Sequence, residues 1–348
     1  MGDRLFARLR VFAVGAVVAA VLCATSEAFA FVDIPALPPN PENTSRVMEF
    51  QGELLVGLKS TSDHAVHKFL FLAGSTINLT LVGGTQRGIN VFSEGSASVI
   101  GGVPLFTTGT GSAPRALVFV APYSGLYYVD SYTSPVGTSD NYALNLSQRV
   151  PSDLIIDPVG NITFGTTVNI TGRVTGALVG EPLTGDVVLS YSPNGVDYSP
   201  LASRALVGGA FAFSDLHPYQ KWYYKVQYLG SSAYNPSGDK ATIGTTALLS
   251  GVTAKRYATR SYALSGSLRP GLGDGSAAAT VRVYLWRYVG GHWKAAGYRT
   301  AKASGPSPAA AYSIKYKFPK KGTWRMRAYH SDADHLPTWG AYTKLTVK

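Results

Sequence analysis

Val168-Asn169-Ile170-Thr171-Gly172-Arg173-Val174 returns as Tyr262-Ala263-Leu264-Ser265-Gly266-Ser267-Leu268, shifted by 94 residues. The same shift carries Val187-Val188-Leu189-Ser190-Tyr191 onto Val281-Arg282-Val283-Tyr284-Leu285. Further on, Tyr224-Lys225-Val226-Gln227-Tyr228 meets Trp324-Arg325-Met326-Arg327-Ala328 at a shift of 100, and Pro236 meets Pro337 at 101. The slack falls in loops such as Ser304-Gly305-Pro306-Ser307-Pro308. A chain that repeats in this way builds one unit twice. Alternate residues of a strand face opposite sides, so a repeat that preserves parity buries the same face in both copies.

The rest of the chain speaks the same language. Ile77, Leu79 and Leu81 alternate with Asn78 and Thr80, and similar runs recur at 117–120, 126–129 and 142–146, separated by turn residues. Charged residues are 15%, while 21 Tyr and 38 Gly are present, a palette of antiparallel strands and turns rather than long helices. The expected fold is all-β: three antiparallel β-sandwich domains in series at 47–149, 150–248 and 249–348. Before them, 31–46 reads as a stiff spacer, carried by Ile34-Pro35-Ala36-Leu37-Pro38-Pro39-Asn40-Pro41. Residues 1–30 read as a signal peptide: Arg4, Arg8 and Arg10, an uncharged apolar stretch over 11–24, then Ala28-Phe29-Ala30. The apolar stretch is shorter than the ~20 residues of a membrane span, so no transmembrane anchor is expected. The single cysteine, Cys23, lies within the signal, which excludes disulfides and thiolate metal sites from the mature chain.

Phe69-Leu70-Phe71-Leu72-Ala73-Gly74 leads into the 77–81 run, and Ala121-Pro122-Tyr123-Ser124-Gly125-Leu126-Tyr127-Tyr128-Val129 and Asn141-Tyr142-Ala143-Leu144-Asn145-Leu146 follow. On these segments the stretch 65–148 resembles the bacterial pre-peptidase C-terminal domain. Where that family often carries aspartates, this chain has Ala65 and Gly88-Ile89-Asn90-Val91, so the resemblance implies no calcium role. Each repeat over 155–348 resembles the bacterial immunoglobulin-like domains of surface proteins. Gly180-Glu181-Pro182-Leu183-Thr184-Gly185 and the turn Ser192-Pro193-Asn194-Gly195-Val196-Asp197-Tyr198 carry that likeness, the latter kept as Gly290-Gly291-His292-Trp293. It implies a seven-stranded sandwich with Tyr198 and Trp293 capping the core, and it implies no ligand, because unrelated functions share the fold.

Catalytic constellations are missing. Ser62-Asp63-His64 has the letters of a triad, but consecutive residues of an extended chain alternate faces and cannot form one relay. No nucleophile elbow, zinc-protease helix or phosphate loop is present, so no enzyme and no cofactor is expected. His330-Ser331-Asp332-Ala333-Asp334-His335 has metal-ligand composition. Its repeat counterpart, Gly230-Ser231-Ser232-Ala233-Tyr234, has none, which favours a plain turn and no metal. The five Asn-x-Ser/Thr sequons, at Asn43, Asn78, Asn145, Asn161 and Asn169, read as chance composition of alternating strands.

Charge carries the functional expectation. Residues 249–348 hold 17 Lys and Arg against Asp274, Asp332 and Asp334, whereas 31–248 hold 11 basic and 15 acidic residues. Alternation turns Val281, Val283 and Leu285 inward and leaves Arg282, Tyr284 and Trp286 outside; likewise Lys315, Lys317, Arg325 and Arg327 face out. Arginines opposed on adjacent strands would repel, which argues for an anionic partner. The expectation is a secreted, non-catalytic cell-surface interaction protein whose basic last domain binds an anionic cell-wall polymer or polysaccharide through these seven residues. No nucleic acid is expected for an exported chain. The alternative is an accessory or targeting subunit for a separate secreted peptidase or other hydrolase.

Overall fold

The computed structural model describes residues 32–33, 48–49, 52–60, 64–83, 86–93, 102–111, 114–133, 140–271, 279–305 and 308–348. Residues 1–30, read above as a signal, and most of 31–46, read as a spacer, lie outside them, as do Ser62 and Asp63. Every regular element among the described residues is a strand, and no helix there is long and apolar enough to cross a membrane. The chain is all-β, built as sandwiches.

The first unit stacks two five-stranded sheets. One runs Val32–Asp33, Gly52–Ser60, Asp140–Arg149, Thr76–Gly83, Arg115–Val120; the other Met48–Glu49, His64–Phe71, Gly125–Thr133, Arg87–Ser93, Phe106–Thr107. Val32–Asp33, inside the stretch read as spacer, thus adds a short parallel strand. Ile77, Leu79, Leu81, Leu144 and Leu146 from one sheet meet Phe69, Phe71, Ile89, Val91 and Val129 from the other. His67 shares the inward parity of Phe69 and is buried with them.

The second unit packs a three-stranded sheet, Ser152–Ile156, Val168–Gly176 and Ala210–Leu216, on a four-stranded one. The latter runs Ser199–Ala205, Asp186–Ser192, Trp222–Tyr228, Ser237–Ile243. Ile170, Val174, Phe211 and Phe213 face Val187, Leu189, Tyr224 and Val226 across the core.

In the third unit, Ser261–Arg269 lies between Thr253–Ala258 and Ala310–Lys317, as Val168–Gly176 lies between its neighbours. Ala279–Val289 lies between His292–Ser304 and Gly322–His330, as Asp186–Ser192 does between its own. The repeat in sequence is a repeat in topology. Here the two layers join at one edge, because His292–Ser304 also pairs with Ala310–Lys317 at Ala303 and Ser304. Tyr262, Leu264 and Tyr312 from one layer pack on Val281, Val283, Leu285, Trp324 and Met326 from the other.

The glycine shared by the copies has a reason. Gly172 pairs with Phe211 and Gly266 with Tyr312, and in each case the partner's ring lies over the space a side chain would need. A β-carbon at Gly172 would collide with the Ile155 carbonyl oxygen and the Phe211 ring. Gly172→Ala is therefore expected to destabilise the second unit by about 1–3 kcal/mol, the range of overpacked sites. Calorimetry of the full chain checks this; a loss below about 0.5 kcal/mol, the usual bound for an inconsequential substitution, would mean that the sheet simply yields.

Candidate functional site

The outward face of the Ala279 and Gly322 strands is a checkerboard. Register places Arg282 opposite Tyr329, Tyr284 opposite Arg327, and Trp286 opposite Arg325. The two strands are neighbours, but their arginines are not opposed to one another, which corrects the repulsion argument. Each guanidinium meets an aromatic ring instead.

Further rings enclose them. The Arg325 guanidinium carbon lies 5.2 Å from the Trp286 ring centre and 4.7 Å from those of Trp293 and Tyr342. Arg327 lies 5.0 Å from Trp339 and 4.8 Å from Tyr342, and its Nε donates to the Gly340 carbonyl at 2.6 Å. Arg282 stacks on Tyr298 at 5.4 Å. Tyr284 bridges the rows, 5.2 Å from Tyr298 and 5.1 Å from Trp339. A cation over a ring contributes about 0.5–1 kcal/mol at exposed sites. An exposed ion pair contributes about 0–1 kcal/mol, so the rings replace counter-charges at no loss.

A bulge brings the third row into place. Tyr288 pairs with Trp293 and Tyr284 with Tyr298, but the register slips between Tyr284 and Trp286. Gly297, at φ 87°, lies within the slipped stretch on the His292 strand. The odd-numbered Trp293 and the even-numbered Tyr298 consequently share one face. Trp293 stacks on Arg325 rather than capping the core, and Tyr198, its counterpart, lies under the Lys240 ammonium at 5.5 Å. The core-capping role implied by the immunoglobulin-like resemblance is corrected on both counts.

Five of the seven residues singled out in the sequence, Arg282, Tyr284, Trp286, Arg325 and Arg327, come together here. Lys315 and Lys317 do not. They sit opposite Ala263 and Ser261 in the other layer, whose inward residues meet the same core from the far side. Lys315 lies over Tyr257, 5.8 Å from its ring centre. Sequence reasoning missed Trp293, Tyr298, Tyr329, Trp339 and Tyr342. Tyr329 shares the outward parity of Arg325 and Arg327 and was within reach of alternation. For the other four their density between 284 and 342 was the signal, but alternation from one strand cannot place a ring that a bulge, a neighbouring strand or the terminal segment delivers.

Among the described residues, no carboxylate pairs with these arginines; the ion pairs recorded there join histidine to aspartate. In the first unit His64 Nδ1 lies 2.8 Å from Asp130 Oδ2. Burial raises the Asp130 carboxyl above its ordinary range, against the opposing pull of His64. At the end of the Gly322 strand, Asp332 Oδ1 accepts from the backbone N–H of Asp334 at 2.9 Å and of His335 at 2.7 Å, a side-chain-capped turn. The turn reading describes that backbone. His330 and His335 also converge on the Asp332 carboxylate, so the segment is more than a turn. At His330 burial disfavours the charged ring, but the Asp332 contact and charge outweigh it and raise its pKa.

No protein-family model matches the chain, and no curated protein matches it. Solved structures similar to it include a periplasmic inhibitor of g-type lysozyme from Aeromonas hydrophila. That match has 16% identity and a TM-score of 0.25, covering 30% of this chain and 96% of that one. A two-domain fibronectin type-III segment of chicken tenascin matches at 12% identity and TM-score 0.34, covering 56% of this chain and 97% of that one. The FN1-FN3 domains of chicken CNTN1 match at 11% and 0.22, covering 80% and 95%. The similarity is low throughout, and the sandwich architecture rests on the chain's own sheets.

Proposed function

We propose that the chain is an exported, non-catalytic surface-interaction protein whose third unit binds an acidic glycan or cell-envelope polymer on the arginine–aromatic face. The observation that carries this reading is the checkerboard: three stacked guanidinium groups among rings, with Tyr298, Trp339 and Tyr342 about half exposed. A ring-stacked guanidinium keeps N–H donors at its rim, where carboxylate or phosphate oxygens accept in pairs. Flat exposed rings offer the apolar surface on which sugar rings stack. The positive excess of 249–348 draws a polyanion in from a distance.

Titrating polygalacturonate onto the full chain tests this. Affinity is expected to fall about tenfold or more between roughly 50 and 200 mM salt, as several contacts release counterions together. Arg282→Glu, at an exposed position outside the Arg325 cage, should weaken binding about tenfold and lower the melting temperature by only a few degrees, the loss expected from its contact with Tyr298. Equal binding of a neutral glucan, or tighter binding of DNA, would refute the reading. The accessory-subunit alternative rests on the pre-peptidase resemblance of 65–148. It would be favoured if the chain captured a hydrolase while ignoring the polymer.

A further inference from the structure

The turn after the Gly322 strand carries an arrangement that the checkerboard does not use. His330 is 1% exposed, and its Nδ1 lies 2.9 Å from the Thr280 carbonyl oxygen, an acceptor, so Nδ1 carries the proton. The other nitrogen, Nε2, lies 3.0 Å from Asp332 Oδ2 but off the line a hydrogen bond needs, and it has no hydrogen-bond partner. His335 repeats the pattern. Its Nε2 lies 3.1 Å from the Tyr219 carbonyl oxygen, which leaves Nδ1 facing Asp332 at 3.1 and 3.3 Å.

His330 Nε2, His335 Nδ1 and the Asp332 carboxylate thus point at one small space, with all ligand atoms within 4.8 Å of one another. An ion binding there would displace any proton these two nitrogens hold. Each ring is oriented from behind by a carbonyl, the support that metal-bound histidines characteristically have. Bonds of about 2.0–2.2 Å in a tetrahedral site place ligand atoms about 3.3 Å apart. The carboxylate–imidazole spacings of 3.0, 3.1 and 3.3 Å lie at or just below that value. Two nitrogens and one oxygen suit zinc and its transition-metal neighbours, whereas calcium takes oxygen alone.

The first repeat isolates what is extra here. Ser231, at the position equivalent to Asp332 by the 101-residue shift, caps the same turn, its Oγ accepting from Ala233 and Tyr234 N–H at 3.2 and 3.1 Å. The turn therefore folds without a carboxylate or a histidine. Each of the two turns also docks on the preceding unit. Asn235 Nδ2 donates to the Gly74 carbonyl at 3.4 Å. In the second copy, Lys221 N–H donates to the Asp334 carbonyl at 2.6 Å and Leu336 N–H to that of Thr245 at 2.9 Å. The His335 ring reaches Tyr219 across the same boundary.

We propose that His330, Asp332 and His335 bind a divalent transition-metal ion of the zinc class, which clasps the junction between the second and third units. This proposal stands against the expectation of a plain turn without metal. Ligation would hold His335 while its far nitrogen holds Tyr219, so the ion stiffens the boundary between the two repeats.

Zinc chloride titrated calorimetrically into the chelator-stripped full chain is expected to show one saturable ion per chain. Its affinity should fall at least about thirtyfold, some 2 kcal/mol, in Asp332→Ser, which keeps the cap that Ser231 provides in the first repeat. His335→Gln should fall comparably. Zinc should also raise the melting temperature of the wild-type chain by about 5 °C or more, and of neither variant. Absence of saturable binding overturns the proposal, as does binding that both variants retain. If a variant fails to fold, zinc-edge absorption on the wild-type chain decides: two imidazoles on the ion support the site, and one or none refutes it.

Discussion

Trp324→Ala is expected to cost the third unit about 3–5 kcal/mol, the loss that follows removal of a large buried ring. Trp324 is 1% exposed, packs edge-on against Phe318 at 4.9 Å, and donates from Nε1 to the Lys320 carbonyl at 3.1 Å. Domains of this size have only about 5–15 kcal/mol in all, so the unit's own transition should fall by roughly 15–30 °C. The transition of the second unit should stay in place. Arg325 follows Trp324 directly on the strand, so polymer binding should disappear with the fold, whereas Arg282→Glu weakens binding and leaves the fold in place. Calorimetry of the full chain separates the two effects. A loss under about 1 kcal/mol would show that Trp324 is not the centre of this core.

The second large effect lies in the first unit and is a pH effect. His67 is buried among apolar residues with neither ring nitrogen hydrogen-bonded, and burial lowers its pKa from 6.5 to about 4. Between those values the unfolded chain takes up a proton that the folded chain refuses. Stability contributed by the neutral ring is therefore intact above pH 6.5 and is lost as pH falls toward 4. The loss amounts to about 3 kcal/mol across that window. Asp130, whose carboxyl burial raises, acts with the opposite sign, so the informative quantity is the difference between two proteins. His67→Leu should match or exceed wild-type stability at pH 7 and exceed it by about 3 kcal/mol more at pH 4. Denaturant unfolding at several pH values checks this. Parallel pH profiles for the two proteins would show that the ring ionises freely in the fold.

His67 also shows where pattern reading stops. Ala65, Phe69 and Phe71 mark the inward face of that strand by alternation, and His67 falls on it by parity alone. The ring's neutrality, however, is a consequence of the opposite sheet closing over it. The inward and outward sets of the Ala279 and Gly322 strands were legible for the same reason as Ala65 and Phe69: a period of two assigns faces whatever the partner strand is. What each outward residue would meet was not.

The sequence by itself determined the all-β class, the two copies of one topology and the side of each strand that is buried. These follow from local alternation and from the parity kept between repeats. Only the tertiary structure decided the neighbours. Moving the Gly322 strand by two residues would preserve every face yet set Arg282 against Arg327 instead of Tyr329. The slip near Gly297 then gathers Trp293 and Tyr298 onto the same surface, and the terminal segment adds Trp339 and Tyr342. The histidine turn is a further case, because its second ring is oriented by Tyr219, 116 residues earlier in the chain. Faces are set by geometry within a strand, whereas register, bulges and docking are set by the packing of whole sheets against each other.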